Sequence, residues 1–285
     1  MRPYKTVIYS FFLGGLLALI AQTFLVLTTA ALTGTPLELL TGSSVLVLMG
    51  VIGCIFGGLA IYQYFEEWAT FGALLPFSGF AMAVGMKMIV PHCNGASTAQ
   101  SIGKGLWLVI WFNAVGAASC ILFGFICAKA GVQAPVFPKT SSSMIFPAAF
   151  LMGGILTAFF QIVWLAYKKV SAKAAPVWVL LAAWLCGALF APCGLSGFLA
   201  NTFGEGFTVM IPVGGYNMYN VGVQFAAGQV SAGLTHLASF FIAVFFLFFT
   251  GLLTFLIYRA KYGTATVHDV HLARAKADVA RLSDE

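Results

Sequence analysis

Six stretches of the chain, near residues 7–32, 44–65, 106–128, 145–167, 176–200 and 237–258, are apolar over lengths that can cross a bilayer. A spanning helix needs roughly 20 such residues, rising about 1.5 Å per residue through a hydrocarbon layer about 30 Å thick. In that layer every backbone N–H and C=O must find a partner within the protein, so helices are the form these stretches are predicted to take. Two further segments, near 68–90 and 203–232, are interrupted by glycine and proline. The order long, long, broken, long therefore occurs twice.

Composition agrees with that reading. The 285 residues are 61% hydrophobic and 8% charged, against roughly 25% charged in a soluble domain. So few charges cannot cover a water-soluble globule of this size, which excludes a soluble enzyme, a nucleic-acid reader and a disordered segment. The net charge of +6 is an orientation signal, since its bases sit mainly between apolar blocks and cytoplasmic loops collect Lys and Arg. Cys54, Cys93, Cys120, Cys127, Cys186 and Cys193 lie mostly within apolar stretches and lack CxxC spacing, so they read as small packing residues. Arg2 and Lys5 precede an apolar run far longer than the 7–15 residues or so of a cleaved signal core. The expectation is a retained first helix.

The two halves share residues as well as order. Phe11, Leu13, Gly14, Gly15 and Gln22 match Phe150, Met152, Gly153, Gly154 and Gln161 at a constant offset of 139. Pro36 matches Pro176 at 140, and Phe71, Pro76, Gly79, Phe80 and Met82 match Phe207, Pro212, Gly215, Tyr216 and Met218 at 136. Loop-length changes between two copies of one unit would produce such drift. The expected organisation is a first membrane repeat over 1–130, a linker over 131–145, a more divergent repeat over 146–260 and a cytoplasmic tail over 261–285. If each copy crosses three times and its broken segment dips in and out of one face, then Arg2, Lys5, Lys104, Lys168, Lys169, Lys173, Arg259 and Lys261 share a side. Glu38, Lys129 and Lys139 fall on the other. That arrangement obeys the positive-inside rule and inverts the copies.

The broken segments are the candidate site. Proline removes an amide donor and clashes with the preceding turn, so Pro76 and Pro212 disfavour a continuous helix. Such a break survives at membrane depth only when it is buried in protein or lines a wet cavity. Corresponding breaks in two halves point to a midplane site, although a proline kink with glycine packing would carry the same residues. On the site reading Thr70, Gly72, Pro76, Ser78, Gly79, Thr208, Pro212, Gly214, Gly215 and Asn217 line the path. Helix N-termini at the breaks would offer amides to a carboxylate. Gln22 and Gln161 either join them or bond between helices. Glu66, Glu67 and Glu205 would bind a cation or gate, and Lys87 either snorkels to the interface or pairs with one of them. Asn113 and Asn220 add uncharged polar groups. No HExxH, GxSxG or P-loop spacing occurs, and His92-Cys93 and His268-x-x-His271 supply too few ligands for a metal. Neither an enzyme nor a cofactor is expected. The tail reads as a weak helix or a solvated segment.

Gly14-Gly15-Leu16 with Gln22, Gly57-Gly58-Leu59-Ala60-Ile61-Tyr62, Gly72-Ala73-Leu74-Leu75-Pro76-Phe77-Ser78-Gly79-Phe80 and Phe123-Gly124-Phe125 occur in that order. They resemble the "GGLxxxxxQ", "GGLGLY", "GATVPxTGFG" and "FGF" motifs of the SpoVAC/SpoVAEb membrane proteins of spore-forming bacteria, over nearly all of 7–128. The second half resembles them less, with Cys193-Gly194-Leu195 where "GGLGLY" would stand, and a tandem fusion departs from the family's single unit. The resemblance implies movement of dipicolinic acid, as its calcium chelate, across a spore membrane, and channel behaviour open to gating by tension.

These readings converge on an all-α polytopic protein of the bacterial inner membrane with both termini cytoplasmic. It would be built from two inverted repeats of about three transmembrane helices plus a re-entrant element each. Its expected function is a channel or transporter for a small polar solute such as an organic anion. The alternatives are an ion-coupled carrier and a non-transporting scaffold. Expected partners are the solute, membrane lipid, and further copies or other membrane subunits, but no nucleic acid.

Overall fold

The computed structural model describes residues 2–139 and 144–283, so residues 140–143 of the expected linker lie outside the described residues. In the first half the helices are α1 (Pro3–Leu32), α2 (Thr41–Gly58), α3 (Tyr62–Trp68), α4 (Thr70–Leu74), α5 (Phe77–Cys93) and α6 (Thr98–Lys129). In the second they are α7 (Ile145–Val170), α8 (Pro176–Leu189), α9 (Leu195–Phe203), α10 (Glu205–Thr208), α11 (Pro212–Ala226) and α12 (Val230–Tyr262), followed by α13 (Val267–Ser283). Helices α1, α2, α6, α7 and α12 are long and apolar enough to cross a membrane. The protein is an all-α, multi-pass membrane protein. Ile8, Phe12, Trp107, Leu122, Phe241 and Phe245 stand exposed on its long helices, as a surface solvated by lipid tails requires.

Local chemistry sets several of the boundaries. Ser97 opens α6 with a reciprocal cap, its hydroxyl accepting the Gln100 amide while Gln100 accepts the Ser97 amide. Pro176 begins α8 at a position where a missing N–H costs nothing. The expected span over 176–200 is not one helix. α8 stops at Leu189, and Gly194 turns the chain with φ +79° before α9 begins. With 14 residues, α8 is roughly 21 Å long. In the first half Ala60 takes the same left-handed role, with φ +53° between α2 and α3.

α1 and α7 cross through their glycine pairs. A Cβ on Gly15 would sit 2.7 Å from Phe150 O, and one on Gly154 would sit 2.8 Å from Phe11 O. Only residues without side chains let the two backbones approach this closely. Other contacts recur. Gly72 presses on Ser10 within the first half as Gly206 does on Ala149 within the second, and across the halves Gly50–Thr250 is exchanged for Gly116–Trp184.

The direction of each helix follows from what it touches. α5 runs beside α12 in the same sense, with Val84 against Gly251 and Cys93 Sγ donating to Ala265 O. α3 and α4 therefore lead the chain into the bundle, and α5 returns it to the side where α12 ends. In the second half α9 starts against the linker, where Gly194 meets Pro135, and Asn201 Nδ2 donates to Phe137 O. α11 leaves on that same linker side. The two broken segments enter from opposite faces.

Candidate functional site

The broken segments meet inside the protein. Leu75–Pro76–Phe77 lies antiparallel to Val209–Met210–Ile211, with Pro76 opposite Met210. The Phe77 amide donates to Val209 O at 3.0 Å and the Ile211 amide to Leu75 O at 3.1 Å. Proline and the helix ends free backbone groups at a depth where an unpaired one costs several kcal/mol. Each break supplies the other's partners.

Two glutamines complete the accounting, and they do so across the halves. Gln161 Oε1 on α7 accepts the Phe71 amide at the start of α4, 2.9 Å away. Gln22 Oε1 on α1 accepts the Glu205 amide at the start of α10, 3.1 Å away. Gln161 is held further by Ser10 Oγ and by its own bond to Thr6 Oγ1. Both side chains are buried, bonded between helices, and neither lines either of the two cavities described below. The amides of Phe71, Phe77, Glu205 and Ile211, four of those the sequence offered to a carboxylate, already have protein acceptors.

Several other expected path residues also serve the packing. A Cβ on Gly79 would lie 1.7 Å from Ala73 O, and one on Gly215 would lie 1.9 Å from Trp184 O. Gly72, Pro76 and Pro212 are buried, and Thr70 is half-buried at the start of α4. Ser78 Oγ shares a hydrogen bond with Tyr62 Oη, which also donates to Ala73 O. Among the charged candidates, Lys87 is exposed and has no ion-pair partner among the described residues. Glu66 is half-buried, and the exposed Glu67 lies 3.6 Å from His271 Nδ1.

Glu205, Thr208, Gly214 and Asn217 do come together, around a cavity of about 440 Å³ on the linker side of the crossing. Phe77, Val209, Met210 and Ile211 form its inner end, and Asn113 and Asn220 line it as well. Its wall is a chain of rings from four helices. Phe80 lies 4.6 Å from Phe112, which lies 5.2 Å from Trp184, which lies 5.8 Å from Phe240. Trp184 Nε1 and Thr208 Oγ1 are buried with no hydrogen-bond partner. Glu205 is 7% exposed and has no ion-pair partner among the described residues. A second chamber, of about 480 Å³, lies beneath linker residues 131–137 and shares Tyr216 and Asn220 with the first.

Trp184, His236, Ser239 and Phe240 were not singled out from sequence. Their convergence is tertiary, but one signal was available. The exchanged contacts relate residues of the breaks at an offset of 134, two less than the sequence alignment gave. At that offset Trp184, Glu205, Thr208 and Asn217 stand where the first half has Gly50, Phe71, Leu74 and Ala83. Apart from Ser43 and Asn113, the polar side chains of the cavity belong to the second half. Among the described residues no three His, Cys, Asp or Glu side chains gather to hold a metal ion.

The tail is not solvated along its length. Arg274 donates to Leu59 O, Ala60 O and Tyr262 Oη, while His271 stacks on Tyr64 with ring centres 3.7 Å apart. The left-handed turn at Ala60 leaves carbonyls at the end of α2 in need of donors, and α13 brings them.

Fold and site together define a multi-pass membrane protein in which two interrupted segments cross at buried depth beside a partly polar cavity. Residues 6–130 match the model of the SpoVAC/SpoVAEB sporulation membrane protein family, over the same stretch that carries the motifs resembling it. The match ends before α7. No curated protein and no solved structure matches the chain.

Proposed function

We propose that this protein moves a small polar solute across the membrane, and that its halves are inverted copies of one unit joined by the linker. The crossing of Pro76 and Met210 carries the reading. Broken backbone at membrane depth is tolerated where it serves a cavity, and paired breaks from two halves are how many transport proteins build a midplane site. The exchange of Gln22–Glu205 for Gln161–Phe71 supports the two copies. A solute would enter from the linker side past Tyr216 and Asn220, then stop at the crossing, whose opening would release it to the other face. The clustering of Arg2, Lys5, Lys104, Lys168 and Lys169 on the tail side favours a cytoplasmic position for both termini, in a bacterial inner membrane.

The family resemblance makes dipicolinic acid, or its calcium chelate, the first solute to try. A coupled carrier is the second reading, favoured by the unpaired Glu205 beside a cavity closed at its inner end. Such a carboxyl can take up a proton or cation with the solute. Purified protein in proteoliposomes separates these readings. Saturating, gradient-dependent uptake of a solute identifies a carrier, and unsaturated uptake that rises with membrane tension identifies a channel. Absence of uptake for every solute offered, with no solvent access to the cavity, would leave a scaffold and contradict the proposal.

A further inference from the structure

Resting on the solute-carrying reading, we propose that the cavity between α6, α8 and α12 binds a small organic cation that also bears an oxygen acceptor. The lining holds one acid, Glu205, and neither lysine nor arginine. Its one histidine, His236, is exposed and already bonded to Gln224 Oε1. A buried carboxylate without a counter-ion calls for a positive partner. The walls suit such a partner, because the rings of Phe80, Phe112, Trp184 and Phe240 form an unbroken series, and aromatic faces attract desolvated cations.

The acceptor follows from a different observation. Trp184 is 4% exposed, lines the cavity and has an unpartnered Nε1. A buried N–H without an acceptor is costly, and an indole can only donate. An oxygen of the ligand would satisfy it, and Thr208 Oγ1, likewise unpartnered, lines the same cavity. An organic anion would meet the opposite arrangement, since the amides of Phe71, Phe77, Glu205 and Ile211 are committed to Gln161, Gln22 and the carbonyls of the opposite break. The volume of about 440 Å³ falls within the roughly 300–1,000 Å³ of small-molecule sites.

The test uses the full chain, purified, with choline, its uncharged isostere 3,3-dimethylbutanol, dipicolinate and calcium dipicolinate as probes. Tryptophan fluorescence and the thermal unfolding midpoint report binding. Choline is expected to bind and the isostere at least tenfold more weakly, a comparison that needs no variant. Glu205→Gln is expected to weaken choline binding roughly tenfold or more, a loss of the size that 1.4 kcal/mol produces. Trp184→Phe keeps the ring and loses the N–H, so choline, whose oxygen would accept that bond, is expected to bind several-fold more weakly. Equal binding of choline and its isostere would overturn the proposal. So would binding and uptake of dipicolinate but not choline, an outcome that leaves the transport reading standing. Failure of all four to bind or to be taken up would count against both.

Discussion

The side-chain oxygen of Gln161 lies 2.9 Å from the amide nitrogen of Phe71 and accepts its hydrogen bond, joining α7 to the first residues of α4. Gln22 does the same for Glu205 on the other side of the crossing. Each half thus holds the other half's break, which makes the two breaks parts of one structure.

Replacing either glutamine with leucine strands a buried amide. Gln161→Leu and Gln22→Leu are each expected to cost about 1–3 kcal/mol, read as a lower unfolding midpoint in detergent. Gln133→Leu, at an exposed position of the linker, is expected to change nothing measurable. Equal midpoints for all three variants would contradict this role.

Ala60 holds φ +53°, a left-handed conformation that costs a residue with a Cβ roughly 1–2 kcal/mol. The "GGLGLY" motif that the region resembles has glycine there, and Gly194 fills the corresponding place in the second half. Ala60→Gly is expected to raise the unfolding midpoint by an amount worth up to about 1 kcal/mol, part of the relief being lost to the flexibility of glycine. Ala60→Val is expected to lower it.

Docking of α13 should depend on Arg274 and on pH. Arg274→Ala frees the Leu59 and Ala60 carbonyls and is expected to open the tail to limited proteolysis while the membrane helices stay folded. Asp269 accepts from the hydroxyl and amide of Thr266 at the start of α13, and these bonds hold its carboxyl below its ordinary value. A lowered carboxyl contributes stability that is full above the unfolded value and lost as pH falls through the folded one. Pepsin is therefore expected to cut the tail progressively faster as the medium is acidified below about pH 4, and Asp269→Asn to remove that pH dependence.

Solvent access maps the proposed path. With the six native cysteines replaced, a water-soluble thiol reagent is expected to label Asn217→Cys, an exposed position lining the cavity. Ser78→Cys, fully buried behind the crossing, is expected to stay unlabelled until the crossing opens. Labelling of Ser78→Cys alone would place the water-filled path elsewhere.

Much of this architecture was legible in the chain. Gln22 and Gln161 stood out because a polar side chain ten or so residues into an apolar span needs a partner, and Gly14-Gly15 and Gly153-Gly154 because they recur at the same offset. The breaks at Pro76 and Pro212 were equally visible. Their register was not. At the offset the contacts give, Pro76 corresponds to Met210 and Pro212 to Ser78, so aligning the prolines displaced the match by two residues. The partners of the glutamines were hidden for another reason. A side chain's need for a hydrogen bond is local, but which amide answers it is decided by how α1 and α7 cross. Trp184 and Phe240 escaped notice because aromatic residues in a chain this apolar look like core until neighbouring helices show what lies between them.

The account stands on the crossing of the two breaks, and a cross-link across it tests that most directly. Residues opposite each other in a non-hydrogen-bonded antiparallel pair have Cα atoms about 4.5 Å apart, within disulfide reach. Pro76→Cys with Met210→Cys, in the cysteine-free background, should form a disulfide on mild oxidation in membranes. Solute uptake into proteoliposomes should then stop, and return when the bond is reduced. Failure of the two cysteines to join, or uptake that continues undiminished with the bond in place, would contradict the account.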